Sequence, residues 1–270
     1  TNTVFGIVDA RGSILATGSI KTQKYTEITD YVNALHEELS RLLAQENVTD
    51  QIAGIGIGAP NGNYFNGTIE FAPNLPWKGV IPLAQMVREK FNIPVTITND
   101  ANAAAFGEYI AGGAKGYRDA VIITLGTGIG AGIIHNGKIF HGGNGMAGEV
   151  GHTCIDYQGL PCPCGRRGCW EQYASASALK RFTAQALQDN PDSILAQVIR
   201  EHDGHVSGQS AFMAARLGDP VGRQVCDMYI GYLAAGIANV VNIFQPDTLA
   251  IGGGVSNEAD EQLLHPLQRL

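Results

Sequence analysis

The sequence predicts a glycine-rich α/β protein made of two halves of similar order. Of its 270 residues, 44% are hydrophobic, 16% are charged and 35 are glycine, which is typical of a globular protein with a large core. β-rich segments alternate with amphipathic helices, and each half opens on a predicted hairpin. We therefore expect a smaller N-terminal domain at residues 1–115 and a larger C-terminal domain at residues 116–270.

The first half opens on two β-rich segments around the turn Ala10-Arg11-Gly12, followed by a helix and a strand, and this order predicts one mixed sheet with a crossover. Residues 61–79 have little apolar periodicity and predict a long loop, of the kind that often binds ligands. The predicted elements of the first half lie at residues 3–9, 13–19, 26–47, 52–57, 82–91, 95–98 and 101–111.

The second half begins after the glycine-rich boundary at residues 112–116. An apolar strand runs into glycines, and a second strand leads to an Asn136-Gly137 hairpin turn. Helices then follow, one of them long and apolar, before a last short strand. The predicted elements of this half lie at residues 120–125, 131–135, 138–140, 175–189, 193–202, 210–217, 220–243 and 248–251.

The net charge is −7 and the pI is near 5.4, which argues against a nucleic-acid-binding surface because such surfaces are basic. No apolar run approaches the length of a membrane span, and no signal segment opens the chain, so we expect a cytoplasmic protein with no membrane partner. Because the chain starts at Thr1 and stops at Leu270 within a predicted helix, we expect a fragment truncated at both ends.

A metal site is predicted by three cysteines within eight residues, Cys162, Cys164 and Cys169, preceded by His152. A Cys3His set satisfies tetrahedral Zn2+ with no open position, which is typical of a structural site and leaves no place for the water of a zinc hydrolase. Cys162 and Cys164 are too close in sequence to form a natural disulfide. The alternative is a loop that holds three thiols by chance.

Acidic residues flank this cysteine loop, with Glu149 near its entry and Glu171 at its exit. A metal would fix both carboxylates and the His152 imidazole with little freedom. Such a rigid polar set is what recognition of a polar ligand requires.

Two segments of the first half carry further candidates. Asn99-Asp100 stands at the carboxyl end of a predicted strand, where ligands bind in open α/β sheets, although Asp100 would also suit the N-cap of the next helix. Asn74 lies in the long loop, and it is suited either to a ligand contact or to a turn.

Two glycine segments of the second half could approach a ligand closely. Gly126-Thr127-Gly128-Ile129-Gly130 lacks the Gly-Lys-Ser/Thr of a P-loop and opens no helix, so it is neither a P-loop nor a dinucleotide fingerprint. Its backbone N–H groups can nevertheless reach phosphate oxygens. Gly253-Gly254 ends a strand, which allows either a flat ligand such as adenine or a tight turn.

The run from His152 through Cys-x-Cys-Gly-x-x-Gly-Cys-x-Glu, ending at Glu171, resembles the signature of the ROK family of bacterial sugar kinases and sugar-responsive repressors. Further similarity lies in Asn74-Leu75-Pro76-Trp77 and Asn99-Asp100, and it extends over most of the chain. The resemblance implies an α/β, two-domain actin/sugar-kinase (ribonuclease H-like) fold with a ligand cleft between domains and a zinc-binding loop.

The resemblance also implies roles. Asp100 would be the general base, and the substrate would contact Asn74, Asn99, Asp100, Glu149, His152 and Glu171. ATP with Mg2+ would be held by Gly126, Thr127, Gly128, Gly130, Gly253 and Gly254, with Thr1 as the last residue of a first phosphate loop. Structural Zn2+ would be bound by His152, Cys162, Cys164 and Cys169.

The activity implied is ATP-dependent phosphorylation of a hexose hydroxyl. Glucose is favoured because Glu171–Ser175 is similar to the segment of glucose-phosphorylating members, while fructose, mannose, N-acetylglucosamine and N-acetylmannosamine stay open. The alternative is a ROK-type sugar-sensing repressor with a helix-turn-helix ahead of Thr1. A homodimer is expected from the family.

Overall fold

The computed structural model describes residues 2–258 and 260–270, and the chain forms two compact units. The first unit comprises Thr1–Gly116 and Lys138–Ala147, and the second comprises Tyr117–Gly137 and Gly148–Leu270. The strands are β1 Asn2–Val8, β2 Ile14–Lys21, β3 Ile55–Ala59, β4 Gly62–Asn63, β5 Thr68–Glu70, β6 Val80–Ile81, β7 Val95–Asn99, β8 Ala120–Leu125, β9 Ile129–His135, β10 Lys138–Ile139 and β11 Thr248–Gly253. The helices are α1 Ile28–Gln45, α2 Leu83–Phe91, α3 Asp100–Ala111, α4 Glu171–Ala174, α5 Ala176–Asp189, α6 Ile194–Glu201, α7 Ser210–Arg216, α8 Pro220–Phe244 and α9 Leu264–Gln268.

In the first unit, β1 and β2 form the predicted antiparallel hairpin, and β3 pairs in parallel with β7. The single mixed sheet expected from the sequence is wrong for the described residues, since these two ladders are separate. The partner of β3 is β7, which follows α2 in the chain, because two parallel strands require a long crossover connection between them. The core of the unit gathers the buried faces of α1, α2 and the β3/β7 ladder.

The predicted long loop at residues 61–79 contains two short strands and leads into a third. β4, β5 and β6 form a small antiparallel sheet. Ile69 of β5 is buried in the hydrophobic core of the first unit. Strands of two or three residues are too short to display an alternating apolar pattern, which is why the sequence did not reveal them.

In the second unit, β8 lies between β9, to which it is antiparallel, and β11, to which it is parallel. Apolar side chains bury both faces of β8. One face of α8 packs in the same core, where Tyr229 and Leu233 are completely buried. Trp170, also completely buried, donates from Nε1 to the Tyr232 carbonyl at 2.9 Å and so anchors the segment before α4.

Helix α8 is 25 residues long and apolar enough to cross a membrane by length and composition, so the expectation that no apolar run reaches that length is wrong. Its apolar residues include the buried Val225, Ile230 and Val240, which pack in the core of the second unit. A core helix of a globular domain passes the same length test, so this one helix is weak evidence for a membrane span.

Two glycines of α8 give a matched pair of substitutions. A Cβ added at Gly236 would overlap the Trp170 ring, whereas one at Gly231 would meet nothing within 4 Å. Gly236→Ala should therefore lower the free energy of unfolding by about 1–3 kcal/mol through overpacking. Gly231→Ala should raise it by about 0.5–1 kcal/mol, because alanine favours the helix. Urea unfolding followed by circular dichroism measures both, and equal effects of the two variants would contradict this packing.

Candidate active site and metal centre

The four predicted metal ligands lie together in the second unit. One ligand atom from each of His152, Cys162, Cys164 and Cys169 lies within 4.8 Å of the others. Cys162 Sγ is 3.6 Å from His152 Nδ1, and Cys164 Sγ is 3.5 Å from Cys169 Sγ. The sequence spacing thus predicted the residues that the fold brings together.

These separations fit a tetrahedral zinc ion. Zn–S bonds of about 2.3 Å and Zn–N bonds of about 2.1 Å place two sulfurs about 3.8 Å apart and a sulfur and a nitrogen about 3.6 Å apart. The Cys162–His152 and Cys164–Cys169 separations match these values to within a few tenths of an ångström, and no two of the four ligand atoms are more than 4.8 Å apart. Three thiol sulfurs and one imidazole nitrogen are also the donors that zinc prefers.

The thiols differ in their electrostatic surroundings. Hydrogen bonds from Arg166, first from its backbone N–H and then from its side chain, lower the pKa of Cys164 to about 6. Burial raises the pKa of Cys162, and burial with the neighbouring sulfurs raises that of Cys169 to about 12. A divalent cation offsets the cost of gathering these thiolates, because it binds the deprotonated sulfur.

The backbone of the cysteine loop turns twice to bring the ligands together. Cys162 N–H donates to the Arg166 carbonyl at 2.8 Å, and Gly165 N–H donates back to the Cys162 carbonyl at 3.0 Å. Gly165 adopts φ = 87° and Gly168 adopts φ = 71°, a region that glycine enters at no steric cost. Arg166 closes the loop by donating from Nη2 to the His152 carbonyl at 2.9 Å.

Glu171, the first residue of α4, contacts the metal cluster directly. Its Oε1 lies 3.4 Å from Cys162 Sγ and 3.7 Å from His152 Nδ1, and it accepts a bond from Gln172 Nε2 at 3.3 Å. The carboxylate is therefore held by the same residues that form the cluster. Glu171 thus lies beside the predicted metal ligands, and the fixing of its carboxylate by a bound metal stays a prediction.

The other carboxylate oxygen of Glu171 faces the glycine turn between β8 and β9. A Cβ added at Gly128 would lie 2.5 Å from Glu171 Oε2, so glycine is what lets the carboxylate lie against this turn. Gly126 N–H donates to the Gly128 carbonyl at 3.0 Å, and the Gly126 carbonyl accepts from Ala176 at the start of α5. Gly126 and Thr127 are exposed, and an added Cβ at Gly126 meets nothing within 4 Å.

The second glycine segment lies at the same edge of the sheet. Gly253 pairs with Leu125 at the carboxyl ends of the parallel strands β11 and β8, directly before Gly126. Gly253 adopts φ = 96°, and an added Cβ would overlap the Leu125 carbonyl, whereas Gly254 has open space around it. Two exposed glycine segments thus meet at the carboxyl edge of a parallel pair, where α/β proteins bind ligands.

Glu149 and His152 are placed by close packing against β9. Glu149 directly precedes a 3-10 turn at Val150–His152, and His152 is its last residue. The His152 N–H donates to the Glu149 carbonyl at 3.1 Å. A Cβ at Gly148 would overlap the Ala131 carbonyl, and one at Gly151 would overlap the Ile129 carbonyl. Glycine at both positions brings the backbone onto the strand. These two positions were not singled out in the sequence, because their need for glycine arises from a distant strand.

In the first unit, Asn99 and Asp100 stand where β7 ends and α3 begins. The N-cap is Asn99, whose Oδ1 accepts from Ala101 N–H at 2.7 Å, so the alternative role of Asp100 as N-cap is wrong. Asp100 is the first residue of α3, where the backbone N–H groups of the helix favour a negative charge. Its side chain is exposed and also accepts from Ala101 N–H at 2.9 Å.

Asn74 belongs to a loop of the first unit that two apolar anchors hold. Leu75 and Trp77 are buried, and the Trp77 ring packs against Tyr31 at 4.6 Å between centroids. Lys78 Nζ donates to the Leu75 carbonyl at 2.9 Å, and Gln23 Nε2 donates to the Asn74 carbonyl at 3.2 Å. The Asn74 side chain is left exposed on a fixed backbone.

The predicted site residues therefore form two groups. Asn74, Asn99 and Asp100 belong to the first unit, and the metal ligands, Glu149, Glu171 and the glycine segments with Gly130 belong to the second. The prediction for Thr1 lies outside the described residues. The sequence missed Arg166 and Gln172, which hold Cys164 and Glu171, because neither residue type signals a metal neighbour.

The ROK family model matches residues 1–270. The chain belongs to the ROK family. This membership confirms the predicted family and fold, a sugar-kinase α/β fold with a Cys/His cluster in its second unit.

Relatives within the ROK family include kinases and repressors. The glucokinase of Streptomyces coelicolor is 38% identical over 275 residues, which cover 100% of this chain and 83% of the relative. The solved ROK family glucokinase of Streptomyces griseus, in complex with glucose and AMPPNP, is 36% identical, with a TM-score of 0.80 over 100% of this chain and 85% of that one. The xylose repressor of Caldicellulosiruptor bescii is 40% identical over 210 residues, or 76% of this chain and 51% of the repressor.

Proposed function

We propose that this ROK protein is an ATP-dependent hexose kinase that converts glucose to glucose 6-phosphate. The observation that carries the proposal is the contact of Glu171 with Gly128. This contact places Glu171, which is expected to bind the sugar, against the turn that is expected to bind the nucleotide phosphates. Phosphoryl transfer requires this adjacency, because the sugar hydroxyl must lie in line with the transferred group.

In this proposal Asp100 is the general base. A sugar alcohol is a very weak acid, so the carboxylate orients the hydroxyl and takes its proton as the bond to phosphorus forms. The exposed position of Asp100 at the first turn of α3 supports the role, since the carboxylate is accessible to a substrate. Asn99, next to it, would hydrogen-bond a neighbouring hydroxyl.

The remaining hydroxyls would be bound by Asn74, Glu149, His152 and Glu171. His152 can serve both the metal and the sugar, because its Nδ1 faces the cysteines and its other ring nitrogen is a separate donor or acceptor. Zinc in the Cys3His site would have a structural role and hold His152 and Glu171 in position.

The nucleotide would be held by the two glycine segments at the carboxyl edge of β8 and β11. N–H groups of Thr127, Gly128 and Gly130 would face phosphates. Gly126, whose own N–H bonds the Gly128 carbonyl, would leave them space, and Gly253-Gly254 would leave room for the flat base. Mg2+ would supply charge neutralisation between the phosphates. Homodimer formation stays a prediction from the family, and a cytoplasmic location stays a prediction from the sequence.

A sugar-sensing role is the second candidate, and the similarity to xylose repressors favours it. A sensor requires the sugar contacts and the zinc loop without phosphoryl transfer. The two functions share Glu149, His152 and Glu171, so sugar binding alone does not separate them. Turnover that depends on Asp100 does.

The kinase proposal predicts ADP release from Mg-ATP when one hexose of a panel is added, with glucose giving the highest kcat/KM. Asp100→Asn should lower kcat by about a hundredfold or more, because the amide accepts no proton, while glucose still binds. A coupled ADP assay and calorimetry with glucose measure the two quantities. Glucose binding by the wild type without ADP release would contradict the kinase proposal and favour the sensor.

The two ends of the glycine turn should separate sugar from nucleotide binding. Gly128→Ala should raise the Kd for glucose by about tenfold, since the added methyl displaces the Glu171 carboxylate that bonds the sugar. Gly126→Ala should leave that Kd unchanged and raise the KM for ATP by about tenfold, because its methyl points into the space expected for phosphate. Calorimetry and initial rates provide the readouts. The same effect of both variants on both ligands would contradict the assignment.

A further inference from the structure

Cys154, which is neither a predicted metal ligand nor part of α8, lies directly opposite the predicted metal ligand Cys169. Cys154 and Cys169 form an isolated antiparallel bridge. Ile155 N–H donates to the Gly168 carbonyl at 2.9 Å, and Trp170 N–H donates to the Thr153 carbonyl at 2.8 Å. These bonds flank the two cysteines, which makes them a non-hydrogen-bonded cross-strand pair.

Such a pair has the backbone separation of a disulfide. Directly opposite residues at a non-hydrogen-bonded position have Cα atoms about 4.5 Å apart and side chains on the same face of the ribbon. Disulfides form over Cα separations of about 4.4–6.8 Å. A bond between Cys154 and Cys169 therefore requires side-chain rotation and little movement of the backbone.

The Cys154 side chain is exposed, whereas Cys169 is buried. Cys154 Sγ lies 3.6 Å from the Arg167 carbonyl, on the segment that leads into Cys169. A Cβ at Gly168 would lie 3.1 Å from this sulfur, so glycine leaves the space in which the thiol sits. Formation of the disulfide would require the Cys154 side chain to rotate about χ1 to another staggered position, away from the Arg167 carbonyl.

We propose that Cys154 is an oxidation site, and that its disulfide with Cys169 removes one of the four ligands from the metal cluster. The oxidant class is a peroxide. The inference rests on the zinc site proposed above for its effect on the metal, while the disulfide itself follows from the cross-strand pair alone.

The reaction balances as a two-electron oxidation of two thiols by one peroxide. Cys154 thiolate attacks an oxygen of hydrogen peroxide, the O–O bond breaks, and a sulfenic acid and hydroxide form. Cys169 thiolate then attacks Cys154 Sγ, the S–O bond breaks and the S–S bond forms, and the second hydroxide leaves. With two protons the hydroxides become two waters. A dithiol reductant reverses the step by thiol–disulfide exchange.

Loss of Cys169 as a metal ligand would also disturb the position of Glu171 in the proposed sugar site. Trp170 and Glu171 follow Cys169 directly in sequence, and Glu171 Oε1 contacts Cys162 and His152 of the same cluster. With three ligands the site no longer holds zinc firmly, and the Glu171 carboxylate loses the neighbours that fix it.

The test compares the wild type with Cys154→Ser, which keeps all four metal ligands, and with Cys226→Ser, a buried cysteine of α8 outside the loop. Each protein is assayed for zinc content, treated with hydrogen peroxide, and followed with a chromogenic zinc chelator. Free thiols are then blocked and disulfides mapped by mass spectrometry. Wild type and Cys226→Ser should yield a Cys154–Cys169 disulfide with zinc release, and Cys154→Ser should release zinc at least about tenfold more slowly.

Three results are decisive. A map showing Cys164–Cys169 in the wild type, whose sulfurs are 3.5 Å apart, would overturn the proposal. Equal zinc release by wild type and Cys154→Ser would also overturn it. A protein that contains no zinc at the start contradicts the proposed metal site instead, and the map still decides whether Cys154 pairs with Cys169.

Discussion

The position of the Glu171 carboxylate is the constraint on which the candidate site depends. One oxygen lies against Cys162 and His152 of the metal cluster, and the other lies against Gly128 of the β8/β9 turn. The Glu171 side chain is only 17% exposed, and burying a carboxylate without polar partners is costly, so its contacts with Cys162, His152 and Gln172 help to hold it. The cysteine loop and the β8/β9 glycine turn are therefore connected through the Glu171 side chain within the second unit.

Residues in the core of the second unit hold the segment around Glu171 in place. Trp170, the residue between Cys169 and Glu171, is completely buried, bonds the Tyr232 carbonyl and packs where Gly236 leaves space on α8. Tyr229 Oη donates to the Ala174 carbonyl at 2.9 Å and holds the end of α4. Because rigid packing on both sides of Glu171 limits its motion, the site has the supported character that ligand recognition requires.

Local patterns in the sequence predicted much of the fold and of the candidate site. The features that were missed depend on contacts between residues distant in the chain or on segments too short to display a pattern. The metal ligands, the β8 strand and the α8 helix were predictable because a spacing or a long apolar pattern within one segment encodes each of them. The short strands β4 to β6 carry too few residues for a pattern. The contact of Glu171 with Gly128 joins residues far apart in the chain, so only the fold reveals it. Asn99 rather than Asp100 caps α3, because either residue type suits that position and backbone geometry decides between them.

The most direct test of the account is the dependence of glucose binding on zinc. Zinc would be removed with a chelator under reducing conditions, and glucose titrated by calorimetry into the depleted protein and into the protein restored with one equivalent of zinc. The account predicts that depletion raises the Kd by about tenfold or more and that zinc restores it, because the cluster fixes Glu171 and His152. Equally tight glucose binding with and without zinc, in a protein that stays folded, would contradict it.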